Sequence, residues 1–160
     1  IKHAVNGTSL AQDWNPSSGP IYAGFMKTLS EARARLEGLG IEYVIRGMLW
    51  MQGESDAMQE AMAASYLNNF LDFATAVRTA TGVANLPIVM ARIRATMPAP
   101  FPYALQVRMA QETAATMDPN VHVIDTDSLT FHGDDVHYDT AGQLELGARF
   151  AQAMLTYAPP

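Results

Sequence analysis

Asp134 and His137 stand three residues apart in the run His132-Gly133-Asp134-Asp135-Val136-His137-Tyr138-Asp139. A histidine near its ordinary pKa of ~6.5 changes charge close to neutrality and suits general acid–base work, which contributes roughly 10²–10⁴-fold to a rate. A carboxylate within reach fixes the ring's tautomer and stabilises the imidazolium. In a loop that enters a helix, this spacing is short enough for such a hydrogen bond. The same spacing also describes a plain helix entry with a partly exposed histidine, so the pair needs other groups around it to become a site.

Two further polar clusters supply candidates. Trp50-Met51-Gln52-Gly53-Glu54-Ser55-Asp56 follows an apolar run. A side-chain amide at Gln52 can donate to an oxyanion, and Gly53 clears space beside it. Ser55 or Asp56 would cap the next helix while Gln52 faces a pocket. Asn6-Gly7-Thr8-Ser9-Leu10, with Trp14 downstream, reads as a turn. Its glycine also lets backbone N–H groups approach a ligand. Trp14 is either a packing residue or a ring on which a sugar could stack. The crowding of Asp125, Asp127, His132, Asp134, Asp135, His137 and Asp139 raises a metal reading, but Leu129 stands where a calcium loop needs an oxygen ligand. His132 and His137 also lack the spacing of a helical zinc pair, so no metal and no cofactor is expected.

The elements that must position these groups follow from hydrophobic periodicity. Tyr43 to Trp50, Leu86 to Ile93 and Val121 to Asp125 read as strands buried on both faces, and Ile1 to Val5 as the remainder of another. Between them lie helical patterns. One starts at Pro20, carries Phe25, Leu29, Ala32 and Leu36, and ends at Gly38 or Gly40. A second carries Met62, Tyr66, Phe70, Ala74 and Val77 and closes near Gly82; a third runs from about Tyr103 to Met117. Thr140-Ala141-Gly142-Gln143 has the form of a capping box, after which Leu146, Phe150 and Met154 form an apolar stripe. Strand–helix alternation predicts an α/β fold, a parallel sheet covered on both faces, with sites at the C-terminal strand ends. The bend from Met97 to Pro102 reads as a rigid surface loop.

Composition narrows the partners. The chain has 160 residues, 49% apolar and 16% charged, with a net charge of −6 and no cysteine. That length and balance suit one globular domain over residues 1–160. An acidic chain without a basic stripe argues against nucleic acid. No apolar run reaches the ~18–20 residues that cross a bilayer, so no membrane partner is expected. Without cysteine there is no disulfide, no thiolate nucleophile and no Cys-ligated zinc. Ile1 to Val5, without a basic-then-apolar organisation, do not form a signal peptide.

Taken together, these clusters resemble a known family. Trp50-Met51-Gln52-Gly53-Glu54-Ser55-Asp56 is similar to the W-x-Q-G-E-S-D block of the carbohydrate and sialate O-acetylesterases (carbohydrate esterase family six), which are SGNH/GDSL hydrolases. Asn6-Gly7-Thr8-Ser9…Trp14 resembles their G-G-T-S…W segment. Val107-Arg108-x-x-Gln111 resembles a recurrent helix segment, and Asp134-x-x-His137 followed by Tyr138 and Gly142 resembles the last catalytic block. The resemblance implies a flavodoxin-like three-layer fold and a serine mechanism acting on an acetylated carbohydrate, and it favours a secreted or periplasmic setting. His137 would be the general base and Asp134 its orienting acid, with Glu54 a rival for the acid. Gln52 and the Gly7 amide would donate to the oxyanion, and Trp14, Ser9 and Arg108 would lie along the substrate.

The family's nucleophile sits in a G-x-S-N segment at the end of its first strand, and these 160 residues contain no G-x-S-N. Ser9 is the best internal substitute by position, but the resemblance implies that the serine at this place is not the nucleophile. In the strand order 2-1-3-4-5 the first strand lies inside the sheet, so the expectation is a domain without that strand. Two apolar edges would then face a vacancy, inviting self-association or a complementing N-terminal segment. A catalytically inactive carbohydrate-binding or scaffold domain of the same fold is the competing reading.

Overall fold

Pro20 opens the first helix, α1 (Pro20–Gly38), where its missing N–H is no loss. The computed structural model describes residues 1–158. After α1 come β1 (Met48–Met51), α2 (Glu60–Thr81), β2 (Ile88–Ala91), α3 (Ala104–Met117), β3 (Val121–Ile124) and α4 (Thr140–Tyr157). A single 3₁₀ turn, Asp56–Met58, precedes α2. The strands form a parallel sheet in the order β1-β2-β3, with Met48 opposite Ile88 and Ile88 opposite Val121. This is the α/β architecture that the alternation predicts.

The pleat divides the core. Ile88 and Met90 point to one face, where they join Tyr66, Phe70, Phe73 and Val77 of α2 and Val107 of α3, with Phe25 of α1 packed at the margin. Val89 and Ala91 point to the other face, covered by Leu146, Phe150 and Ala153 of α4. Helix α2 stops at Gly82, which takes the left-handed conformation (φ 73°) that closes helices cheaply only without a Cβ.

Several expectations need correction. The strands are shorter than the apolar runs. Pro87 cannot donate to a ladder, so β2 starts at Ile88 and β1, paired only to it, starts at Met48. Residues 43–47 therefore lie outside the sheet. Among the described residues only β2 is buried along its whole length, because it is the strand with a neighbour on each side. Leu49 shares the α4 face with Val89 yet is 50% exposed, since α4 packs over β2 and β3. Ile1 to Val5 joins no ladder among the described residues; His3 instead meets Thr28 of α1 through Nδ1 at 3.0 Å. An open cavity of about 640 Å³ runs beside the outer edge of β1, lined by Ile1, His3, Leu29, Val44, Met48 and Leu49 among others. The capping box is displaced by one residue. Asp139 is the N-cap of α4, its carboxylate accepting the Gly142 N–H at 2.8 Å, and Thr140 is the first helical residue.

Candidate functional site

The chain leaving β3 turns back on itself before α4. Phe131 and Tyr138 form an antiparallel bridge, His132 N–H donates to the His137 carbonyl at 2.8 Å, and Asp135 N–H to the His132 carbonyl at 3.0 Å. Asp135, at the tip, has φ 55°, the left-handed region that short polar side chains tolerate. Asp134 uses both carboxylate oxygens. Oδ1 accepts the N–H groups of Val136 and His137, each at 3.0 Å, and Oδ2 lies 2.7 Å from His137 Nδ1. The imidazole and these two amides hold the Asp134 carboxyl well below the usual carboxylate range. With Nδ1 engaged, Nε2 is the ring nitrogen left for proton transfer, on a side chain that is 72% exposed.

The Gln52-Gly53-Glu54 block leaves the C-terminal end of β1. Gln52 is buried, and its Nε2 donates to the Thr8 carbonyl at 3.0 Å and to Asp56 Oδ2 at 2.6 Å. Its backbone carbonyl accepts from Tyr66 Oη at 3.0 Å and from Gln111 Nε2 at 2.9 Å. Both protons of the Gln52 amide are thus committed within the fold. Asp56 caps neither the following turn nor α2: its buried carboxylate accepts the N–H groups of Leu10 and Ala11 at 2.7 and 3.0 Å. Ser55 makes no side-chain cap, and Gln59 precedes α2. Burial pushes the Asp56 carboxyl up, against the donors from Leu10, Gln52 and Ala11. Glu54 is also pushed up by burial, opposed by its own backbone N–H, the charge of His137 and the Gly53 amide. Asp134 therefore contacts the imidazole, and Glu54 acts on it through space.

These groups meet on one cavity of about 550 Å³ at the C-terminal strand ends. Gly7, Gln52, Glu54 and His137 line it, with Tyr138 and Gln143, and Met58, Phe101 and Leu146 give it an apolar wall. Gly7 takes φ 67°, and nothing lies within 4 Å of where a Cβ would stand, so its conformation rather than a close approach requires glycine.

The three residues expected along the substrate sit elsewhere. Trp14 is buried, its Nε1 donating to Thr8 Oγ1 at 2.9 Å and its ring packed edge-on to Trp50 and Phe73. It has no free face for a sugar. Ser9 is buried too, its hydroxyl donating to Asp13 Oδ2 at 2.9 Å. Arg108 is paired with Asp127 and Glu112, and Arg92 bridges the same two acids and Asp125. Two members of the acidic crowd are therefore neutralised by arginines. Among the described serines, Ser55 lines the cavity, but no hydrogen bond joins it to His137.

Three groups that hold the site carry little local signal. Asp56 ties Leu10 and Ala11 to the Gln52 block. Tyr66 and Gln111 are wholly buried, and Gln111 Oε1 accepts the Ile93 N–H at 2.9 Å while its Nε2 reaches the Gln52 carbonyl. The sequence marks Gln111 only as the last residue of the Val107-Arg108-x-x-Gln111 segment, with no role attached.

A family model described as "Carbohydrate esterase, sialic acid-specific acetylesterase" matches residues 1–156. Among curated proteins, a probable carbohydrate esterase of Arabidopsis thaliana is 31% identical over 153 residues, which is 96% of this chain and 54% of that protein. The X-ray structure of an Arabidopsis thaliana protein superposes with a TM-score of 0.79 at 32% identity, covering 95% of this chain and 58% of that one. A carbohydrate acetylesterase from Xanthomonas citri shares the fold, with a TM-score of 0.59 at 18% identity over 72% of this chain and 26% of its own. The chain spans about half the length of the curated relative it matches.

Proposed function

Because this chain belongs to the carbohydrate esterase family of sialic acid-specific acetylesterases, we propose that it is a serine ester hydrolase domain, residues 1–160, that removes O-acetyl groups from carbohydrates of sialate or xylan type. The observation that carries this reading is the 2.7 Å contact between Asp134 Oδ2 and His137 Nδ1 on the wall of a cavity shared with Gln52 and Glu54. In this reading His137 Nε2 takes the proton of a serine hydroxyl as its oxygen attacks the acetyl carbonyl carbon. Asp134 stabilises the imidazolium, which then protonates the departing sugar oxygen. Water repeats the cycle on the acyl-serine and releases acetate.

Since no described serine is hydrogen-bonded to His137, the serine is proposed to come from a segment preceding residue 1. The Gly7 amide remains the candidate oxyanion donor. Gln52 supports the oxyanion loop through the Thr8 carbonyl, its own amide protons being engaged.

The commitment of Gln52 and the absence of a bonded serine also support a second reading, an inactive carbohydrate-binding domain of the same fold. Acetate release from an aryl acetate, acetylated xylan and an O-acetylated sialic acid separates the two. It should be measured on the chain alone and on the chain with its preceding polypeptide. The esterase reading expects activity from the longer form and its loss in His137→Ala. Inactivity of the longer form, or an unchanged rate in that variant, refutes it.

A further inference from the structure

The catalytic-pair reading leaves a mechanical question. Asp134 and His137 have half or more of their side chains in solvent, so packing does not hold them. They ride on the hairpin between Phe131 and Tyr138, which must keep one orientation against the Gln52 block.

Arg94, just beyond the end of β2, reaches that hairpin at two places. Its Nη1 donates to the Asp135 carbonyl at the tip at 2.8 Å and lies 3.5 Å from Asp135 Oδ1. Its guanidinium carbon stands 4.4 Å from the centre of the Phe131 ring at the base, a cation–π distance. Phe131 in turn packs on Tyr138, ring centres 4.6 Å apart. Asp135, the residue held at the tip, takes the left-handed conformation that short polar side chains tolerate, and the Arg94 bond falls on its carbonyl.

We propose that Arg94 is a positioning residue for the Asp134–His137 pair, clamping the tip and base of their hairpin to the end of β2. The proposal rests on the esterase reading for its catalytic consequence, and the clamp itself rests on geometry alone. Arg94 directs its hydrogen bonds and its cation–π contact to Asp135 and Phe131 and is not among the residues that line the cavity. Its removal should therefore lower turnover through misplacement and leave substrate affinity nearly unchanged.

The test compares Arg94→Gln with Arg94→Lys, which keeps a cation for Phe131 and a donor for the Asp135 carbonyl. Hydrogen exchange is followed at the His132, Asp135 and His137 amides, with the Met90 amide of β2 as internal reference. Loss of a charge-assisted hydrogen bond should speed hairpin exchange about tenfold in Arg94→Gln. Met90 should stay as in the parent, and Arg94→Lys should recover most of the protection. In the active form, kcat should fall by about tenfold in Arg94→Gln with KM within about twofold, and return in Arg94→Lys.

Unchanged hairpin exchange in Arg94→Gln overturns the clamp. A fall confined to KM, or no rescue by lysine, overturns the positioning role. If the parent hydrolyses no ester, the functional reading fails, and the exchange result still decides the clamp.

Discussion

His137 Nδ1 lies 2.7 Å from Asp134 Oδ2, while Asp134 Oδ1 receives the backbone N–H groups of Val136 and His137. One carboxylate thus orients the imidazole and shapes the turn that carries it. Asp134→Asn separates the two tasks. Its amide oxygen can still accept the two backbone donors, but the side chain no longer carries the charge that stabilises an imidazolium. We expect kcat in acetate release to fall by about 10³–10⁴-fold, with the thermal midpoint close to the parent's. A loss under tenfold would move the orienting role from Asp134 to Glu54.

Gln52 should reveal itself first through stability. Its amide bridges the Thr8 carbonyl and the buried Asp56 carboxylate, so Gln52→Ala leaves both short of a donor. A lost hydrogen bond costs about 0.5–1.5 kcal/mol, and one to a charged group about 1.5–3 kcal/mol. The expected loss is therefore roughly 2 kcal/mol or more in urea unfolding. Gln52→Glu should be worse at pH 7, because it sets a second carboxylate against Asp56, and the gap should narrow toward pH 4. Full stability in Gln52→Ala, combined with a large kinetic defect, would instead mark Gln52 as a direct oxyanion donor.

What the sequence shows and hides follows from how local each interaction is. The Asp134–His137 contact is legible because both side chains belong to one tight hairpin. The helices are legible because their periodicity is local and their ends carry Pro20 and Gly82. The strand ends depend on partners: Met48 starts β1 because Ile88 starts β2. Trp14 resists reading for the same reason, since its packing partners Trp50 and Phe73 come from distant segments. Arg108 reads as a candidate for substrate until Asp127 arrives from beyond β3. Nothing near Arg94 in the chain announces Phe131 or Asp135.

Glu54 sets a pH dependence of stability. Burial raises its folded-state pKa, so the folded chain holds this proton more readily than the unfolded one. Stability from this group is fully present below the unfolded value of ~4.3 and is lost as pH rises through the folded value. Asp56 is raised as well and acts in the same direction. Asp134 is lowered and acts oppositely: its contribution is present above ~3.9 and is lost as pH falls through its folded value. The two windows do not overlap. Glu54→Gln should therefore reduce, without abolishing, the fall in thermal midpoint between about pH 4.3 and neutrality. Parallel profiles for parent and variant would show that Glu54 is solvated and does not feel its surroundings.

Gly53 joins Gln52 to Glu54, and two independent constraints fall on it. Its φ of 153° disfavours any side chain, and a Cβ there would stand 3.0 Å from Ile93 Cγ2 and Val107 Cγ1 and 3.2 Å from Gln111 Nε2. Those three neighbours are essentially inaccessible to solvent, so none can yield without disturbing the core or the Gln111 bond to the Gln52 carbonyl. Backbone strain and overpacking each cost about 1–3 kcal/mol. Gly7 carries only the first constraint, because nothing lies within 4 Å of its Cβ direction. Gly53→Ala should therefore cost roughly 2–4 kcal/mol in urea unfolding and Gly7→Ala about 1–2. Any activity lost in Gly7→Ala beyond that small change in stability would come from the cavity-lining Gly7 amide itself. Equal stability losses in the two variants would mean that the contacts around Gly53 relax, and that the Gln52-Gly53-Glu54 block is not held rigidly against α3.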